Sequence, residues 1–138
     1  MANRRQNRPA TASLRGRLWV EIGAAVALTE AGADLLEQID ALGSLSEAAR
    51  HLRFSYRRAW LLLDTMNQCW PRPLVDTQTG GRHGGGAQLT EAGQAVLRAY
   101  RDLQVQLEHL LGQAGPAFHQ AASAAGLRMP AENPPSED

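Results

Sequence analysis

The chain has 138 residues, a formal net charge of zero and 43% hydrophobic residues, which suits one modest core with polar tails. A single cysteine excludes an internal disulfide, and the neutral total excludes a uniformly basic surface. No stretch reaches membrane-span length and the basic N-terminus lacks an apolar export segment, so no membrane partner and a cytoplasmic location are expected. Residues 1–13 are polar and basic, with little to bury, and are expected to be a disordered tail. Leu18-Trp19-Val20-Glu21-Ile22 alternates, with Leu18, Val20 and Ile22 on one face. Gly23-Ala24-Ala25 can turn and Val26-Ala27-Leu28 can pair back, which predicts a small hairpin. Thr29 caps the next helix, with Glu30 in its first turn, Ala31, Leu35, Ile39 and Leu42 as its buried stripe, and Gly43 as its left-handed end.

Gly43 to Trp70 reads as two helices joined by a tight turn. Ser44-Leu45-Ser46-Glu47 is a capping box, and the helix it starts runs through Ala48, Ala49 and Leu52. Arg53-Phe54 is long enough only for a turn, and Ser55 supplies a second N-cap. The second helix, Tyr56 to Cys69, is amphipathic. Ala59, Leu62, Leu63, Met66 and Trp70 share one arc, with Trp60 at its edge; Arg57, Arg58, Leu61, Asp64, Thr65 and Gln68 fall opposite. Two arginines at the positive end of a helix oppose the macrodipole, a cost that becomes useful where an anion docks. The bland alternative is a helical hairpin in a core with solvated arginines. Cys69 lies on the apolar side and reads as a small core residue.

Pro71 and Pro73 stop the helix, Leu74 to Gln78 reads as a strand, and Ala87-Gln88-Leu89 returns. The glycine-rich tip between them cannot pack a core. Glycine lets main chain approach a nucleic-acid backbone closely, and Arg82 supplies charge. A phosphate-binding loop would need a Gly-Lys-Ser/Thr end leading into a helix, and His83 has no metal-ligating neighbours at ligand spacing. Thr90 caps a long helix over 90–111. Val96, Tyr100, Leu103, Leu107 and Leu110 form a heptad seam that can pack on its own domain or on the same helix of a second chain. Leu-Thr-Glu-Ala-Gly occurs at Leu28 to Gly32 and again at Leu89 to Gly93, marking a strand that hands over to a capped helix each time. Residues 112–138 are rich in Ala, Gly and Pro and are expected to be a flexible tail, with a frayed helix near Ala117 to Ala125.

The charges are segregated along this plan. Arg4, Arg5, Arg8, Arg15 and Arg17 precede any acid, and the acids from Glu21 to Glu47 have no base among them. Arg50, Arg53, Arg57, Arg58, Arg72 and Arg82 then face only Asp64 and Asp76, so the basic potential clusters on the second helix of the pair and the segment after it. Every base is arginine, which a genome-wide composition bias explains as well as any functional demand.

Gly43-Ser44-Leu45-Ser46-Glu47-Ala48-Ala49-Arg50, Ser55-Tyr56-Arg57-Arg58-Ala59-Trp60, Met66-Asn67, Thr79-Gly80-Gly81 with Gly84-Gly85-Gly86, and Leu89-Thr90-Glu91-Ala92-Gly93 together resemble the DNA-binding domain of ModE-type molybdate-responsive transcription regulators. That domain is related to the winged helix of LysR-type regulators. The resemblance covers about Leu14 to Leu111 and implies a mainly α fold with small β hairpins: a winged helix-turn-helix over 14–111, with a long C-terminal dimerisation helix. It implies double-stranded DNA as partner and a homodimer. The expected DNA-contacting set is Ser44, Ser55, Tyr56, Arg57, Arg58 and Thr65, with Gly80, Gly81, Arg82, His83 and Gly84 of the wing. Val96, Tyr100, Leu103, Leu107 and Leu110 form the expected dimer seam. Full-length relatives carry molybdate-binding domains after the long helix. The last quarter of this chain is too short and too poor in apolar residues for that fold, so DNA binding carries over and direct molybdate binding is not expected. No cofactor is expected. No nucleophile–base pair or carboxylate constellation suggests an enzyme. The alternative is a protein-interaction adaptor on a winged-helix scaffold.

Overall fold

A computed structural model describes residues 10–78 and 86–130. The elements run β1 (Val20–Ile22), β2 (Ala25–Leu28), α1 (Glu30–Leu42), α2 (Leu45–Leu52), α3 (Tyr56–Cys69), β3 (Val75–Gln78), β4 (Gly86–Leu89) and α4 (Glu91–Ala124). The fold is thus mainly helical, with two small antiparallel hairpins and a long C-terminal helix. The chain divides into two compact units, Arg17–Gln104 and Met1–Gly16 with Val105–Asp138. No helix among the described residues is long and apolar enough to cross a membrane.

In Arg17–Gln104, local chemistry sets the helix starts. Thr29 accepts from the Gly32 N–H at 3.1 Å, Ser44 from Glu47 at 3.2 Å, Ser55 from Arg58 at 3.1 Å and Thr90 from Gly93 at 3.0 Å. Gly43 ends α1 at φ 69°. Arg53, in the turn between α2 and α3, takes φ 58° and donates its N–H back to α2. That left-handed position is one glycine fills at less cost.

The core gathers Leu35, Leu36 and Ile39 of α1, Ala48 and Ala49 of α2, Ala59, Leu63 and Met66 of α3, and Leu74 beside β3. The expected α1 stripe is thereby corrected. Gly32, Ala33 and Leu36 join Leu35 and Ile39 inside, Ala31 is half-buried, and Leu42 is 40% exposed in the last turn. A helix covered by both a helix pair and a hairpin buries a wider arc than one stripe. In β1, pairing runs Val20 to Leu28 and then Glu21 to Val26, a register irregularity that breaks the expected alternation. Leu18 and Val20 pack on the core while Ile22 is exposed.

β3 and β4 pair from Val75↔Leu89 to Gln78↔Gly86. This hairpin is fastened at two points. Ala87 N–H donates to the Gly43 carbonyl at 3.0 Å, and Asn67 of α3 accepts from the N–H groups of Leu74 and Val75 at 2.9 and 3.2 Å. The tip that carries Gly80, Gly81, Arg82, His83 and Gly84 lies outside the described residues.

The expected end of the last helix near Leu111 is also corrected: α4 runs to Ala124, through Gly112, Gly115 and Pro116. Pro116 has no N–H for the ladder, yet the helix continues because tertiary packing outweighs local propensity. Within Met1–Gly16 and Val105–Asp138, the stretch 10–16 lies along this part of α4. Ala12 N–H donates to His119 Nδ1 at 3.2 Å, and Ala10 N–H to the Pro130 carbonyl at 2.9 Å. A Cβ on the buried Gly115 would lie 3.7 Å from the Ala12 carbonyl oxygen, and one on Gly16 3.0 Å from Leu111. The segment expected to be a flexible tail is therefore helical as far as Ala124, and residues 10–12 are hydrogen-bonded to its unit.

Candidate nucleic-acid interface

The N-terminal turn of α3 is the most open part of the helix pair. Ser55 caps it, which sets the backbone N–H groups and the positive dipole end outward. Tyr56 is 58% exposed, and Arg57 and Arg58 are exposed. Among the described residues neither arginine has a carboxylate partner; both ion pairs belong to Arg101. Arg58 is held by stacking instead, with its guanidinium 4.0 Å from the centre of the Phe54 ring. That leaves its charge uncompensated while limiting its rotamers.

The crest of α3 separates two grooves. The first, about 470 Å³, lies between α3 and the β2–α1 junction, and Ser55, Arg57, Arg58 and Thr65 all line it. The second, about 480 Å³, lies between α3, the N-terminus of α2 and strands β3 and β4; Ser44 and Tyr56 line it together with Ser46 and Trp60. Thus the expected contact residues of α2 and α3 line the two flanks of α3, four on one and two on the other. Phe54, Trp60 and Leu61 were not among the expected contacts. The signal for Leu61 was present: a leucine in the solvent arc of an amphipathic helix.

The expected seam on α4 divides. In Arg17–Gln104, Tyr100 is 2% exposed, its hydroxyl donating to the Leu18 carbonyl at 2.7 Å. Burial first, and then the nearby Glu30 carboxylate, hold its pKa above the ordinary 10.0. Val96 packs on the same core, so these two residues serve the chain's own fold, while Leu103 is 48% exposed. Arg101 binds Asp34 at 2.8 Å and Glu37 at 2.6 Å. Burial alone would lower its pKa, but the bonds to the two carboxylates outweigh that and raise it. In the other unit, Leu107 is half-buried and Leu110 is 60% exposed.

No protein-family profile matches the chain. In class, the chain is similar to transcription regulators over 54–62% of its length. In particular, it is 39% identical over 95 residues to the molybdenum transport protein ModE of Azotobacter vinelandii, covering 69% of this chain and 35% of that one. It is 40% identical over 85 residues to the transcriptional regulator ModE of Haemophilus influenzae, covering 62% and 31%. It is 42% identical over 74 residues to the DNA-binding transcriptional dual regulator ModE of Escherichia coli K12, covering 54% and 28%. The chain therefore spans about a third of the length of the curated relatives it matches. The Haemophilus and Escherichia relatives are transcriptional regulators, not enzymes.

Proposed function

We propose that this chain is a sequence-specific, double-stranded-DNA-binding transcription regulator with a LysR-like winged helix-turn-helix. The observation that carries the reading is the α3 N-terminus: two arginines without carboxylate partners among the described residues, at the positive end of a capped helix, on an open face. In this reading the first turn of α3 enters the major groove, with Arg57 on base edges and Arg58 and Tyr56 on edges and phosphates. Ser44, at the N-terminus of α2, meets a phosphate, and the Gly80 to Gly84 wing with Arg82 and His83 lies on backbone. Two copies join through the exposed faces of α4 around Leu103 and Leu110, matching two half-sites. The names of the relatives point to genes of molybdenum transport as the regulated set. The chain itself reads DNA without binding molybdate.

The test is operator affinity of the Arg57→Ala, Arg58→Ala double variant, at several salt concentrations and with or without molybdate. The expected loss is several kcal/mol, from roughly 1–3 for each good bidentate contact. The salt slope should also fall, because fewer counterions are released. Unchanged affinity in the double variant would sink the assignment. A molybdate-specific shift would show that a sensor resides in this chain.

A further inference from the structure

Three large side chains on α3 face solvent on its first two turns: Tyr56 at 58%, Trp60 at 47% and Leu61 at 47%. Tyr56 and Trp60 lean into the groove beside β3 and β4, whereas Leu61 lines the other groove with Arg57, Arg58 and Thr65. The fold has no evident need of Leu61. The buried side of α3 is Ala59, Leu63 and Met66, and Leu61 is absent both from the core and from the apolar residues packed against it. Exposed apolar area beside two arginines that have no carboxylate partner among the described residues marks an interaction surface more than a solvated one.

Leu61 follows Arg57 by one helical turn, about 6 Å along the axis. Base pairs rise about 3.4 Å each, so the two side chains address positions about two base pairs apart. Leucine makes no hydrogen bond. In the major groove the purines present N7 with O6 or N6, cytosine presents an amino group, and thymine alone presents a methyl group. We propose that Leu61 is a specificity-determining residue that reads a thymine methyl group about two base pairs from the position addressed by Arg57. The inference rests on the DNA-binding reading above and names what this part of the site recognises.

The experiment first selects bound sites from random duplex DNA with the full chain. Each thymine of the selected site is then replaced singly by deoxyuridine, which removes the methyl group and leaves every hydrogen-bonding group in place. Wild-type affinity should fall about fourfold at one thymine per half-site, the worth of one buried methyl group. Leu61→Ala should bind the thymine and uracil versions equally, and its melting temperature should match the wild type because the side chain is exposed. Leu61→Gln, a second variant, should move the preference at that position from thymine towards adenine. If no site is selected, the DNA-binding reading fails and takes this proposal with it. If a site is selected but no uracil weakens binding, or the uracil effect persists in Leu61→Ala, the role of Leu61 is overturned while DNA binding stands.

Discussion

The phrase Leu-Thr-Glu-Ala-Gly occurs twice, and its two glycines should respond very differently to the same substitution. Each is the third residue of a helix, and each donates its N–H to the capping threonine. A Cβ on Gly32 would meet the Met66 sulfur at 3.1 Å and a Leu28 methyl carbon at 3.3 Å, both ends of flexible side chains. A Cβ on Gly93 would overlap the Leu74 carbonyl oxygen and lie 3.0 Å from its carbon, which is backbone. That carbonyl also accepts from the Thr90 N–H at 2.9 Å, and Leu74 is 1% exposed. The obstacle therefore cannot rotate away; α4 must lift from β3.

Alanine gains up to about 1 kcal/mol over glycine in a helix. In Gly32→Ala this gain offsets a few tenths of an ångström of repacking, so the net change should lie within about 1 kcal/mol of zero. In Gly93→Ala, overpacking costs about 1–3 kcal/mol or more, and lifting the helix strains the Thr90 bonds to Leu74 and Pro73, each worth about 1 kcal/mol. A net loss of about 2–4 kcal/mol is expected. Urea unfolding of wild type and both variants, compared by midpoint at constant slope, measures the difference. If Gly93→Ala is as stable as Gly32→Ala, the close approach of α4 to the Leu74 backbone is not what fixes glycine there.

Two further outcomes are expected. Asn67→Ala removes an acceptor for the Leu74 and Val75 N–H groups and a donor to the Val75 carbonyl, and should cost about 2–3 kcal/mol in urea unfolding; Asn67→Asp keeps the acceptor and should recover part of it. Tyr100→Phe keeps the buried ring and loses the bond to the Leu18 carbonyl, about 1 kcal/mol at neutral pH. Because the folded state raises the Tyr100 pKa above 10.0, the unfolded chain releases this proton first. The associated stability is complete below pH 10 and lost as pH rises through the folded value. Melting temperatures above pH 10 should therefore drop less in Tyr100→Phe than in the wild type.

What was legible in the sequence was what is decided within a few residues. Thr29, Ser44, Ser55 and Thr90 start their helices where a hydroxyl acceptor precedes an apolar period, and α3 spans Tyr56–Cys69 as its arc predicts. What was not legible depends on residues far apart in the chain. Gly112, Gly115 and Pro116 look like a helix stop, but Ala12 lies against Gly115 and bonds His119, and the helix runs on. The heptad spacing through Tyr100 shows that one face of α4 is covered without showing by what; Leu18 and the α1 core cover its first part. At the candidate site, Arg57 and Arg58 stood out by charge. Leu61 also lay in the solvent arc, but only the fold shows that no neighbour among the described residues covers it and that it is 47% exposed.

The way α3 is held bears on how such a face could work. Among the described residues, its long-range hydrogen bonds lie in its last turns. Trp70, just past its end, donates its indole N–H to the Ala27 carbonyl of β2 at 3.1 Å, and Asn67 bonds the backbone of Leu74 and Val75 at the start of β3. Both hairpins thus hang from the C-terminal end of the helix, on opposite flanks. Among the described residues, the side-chain contacts of the first turn are its own Ser55 cap and the stacking of Arg58 on Phe54. A helix anchored at one end and bare at the other inserts its bare end into a groove without breaking any bond that holds it. The two hairpins, fixed to the anchored end, lie on the two flanks of α3. In the proposed reading, attachment at Asn67 and Trp70 would set the angle at which Arg57 and Leu61 meet the bases, so a change at Asn67 is expected to alter operator affinity by tilting α3.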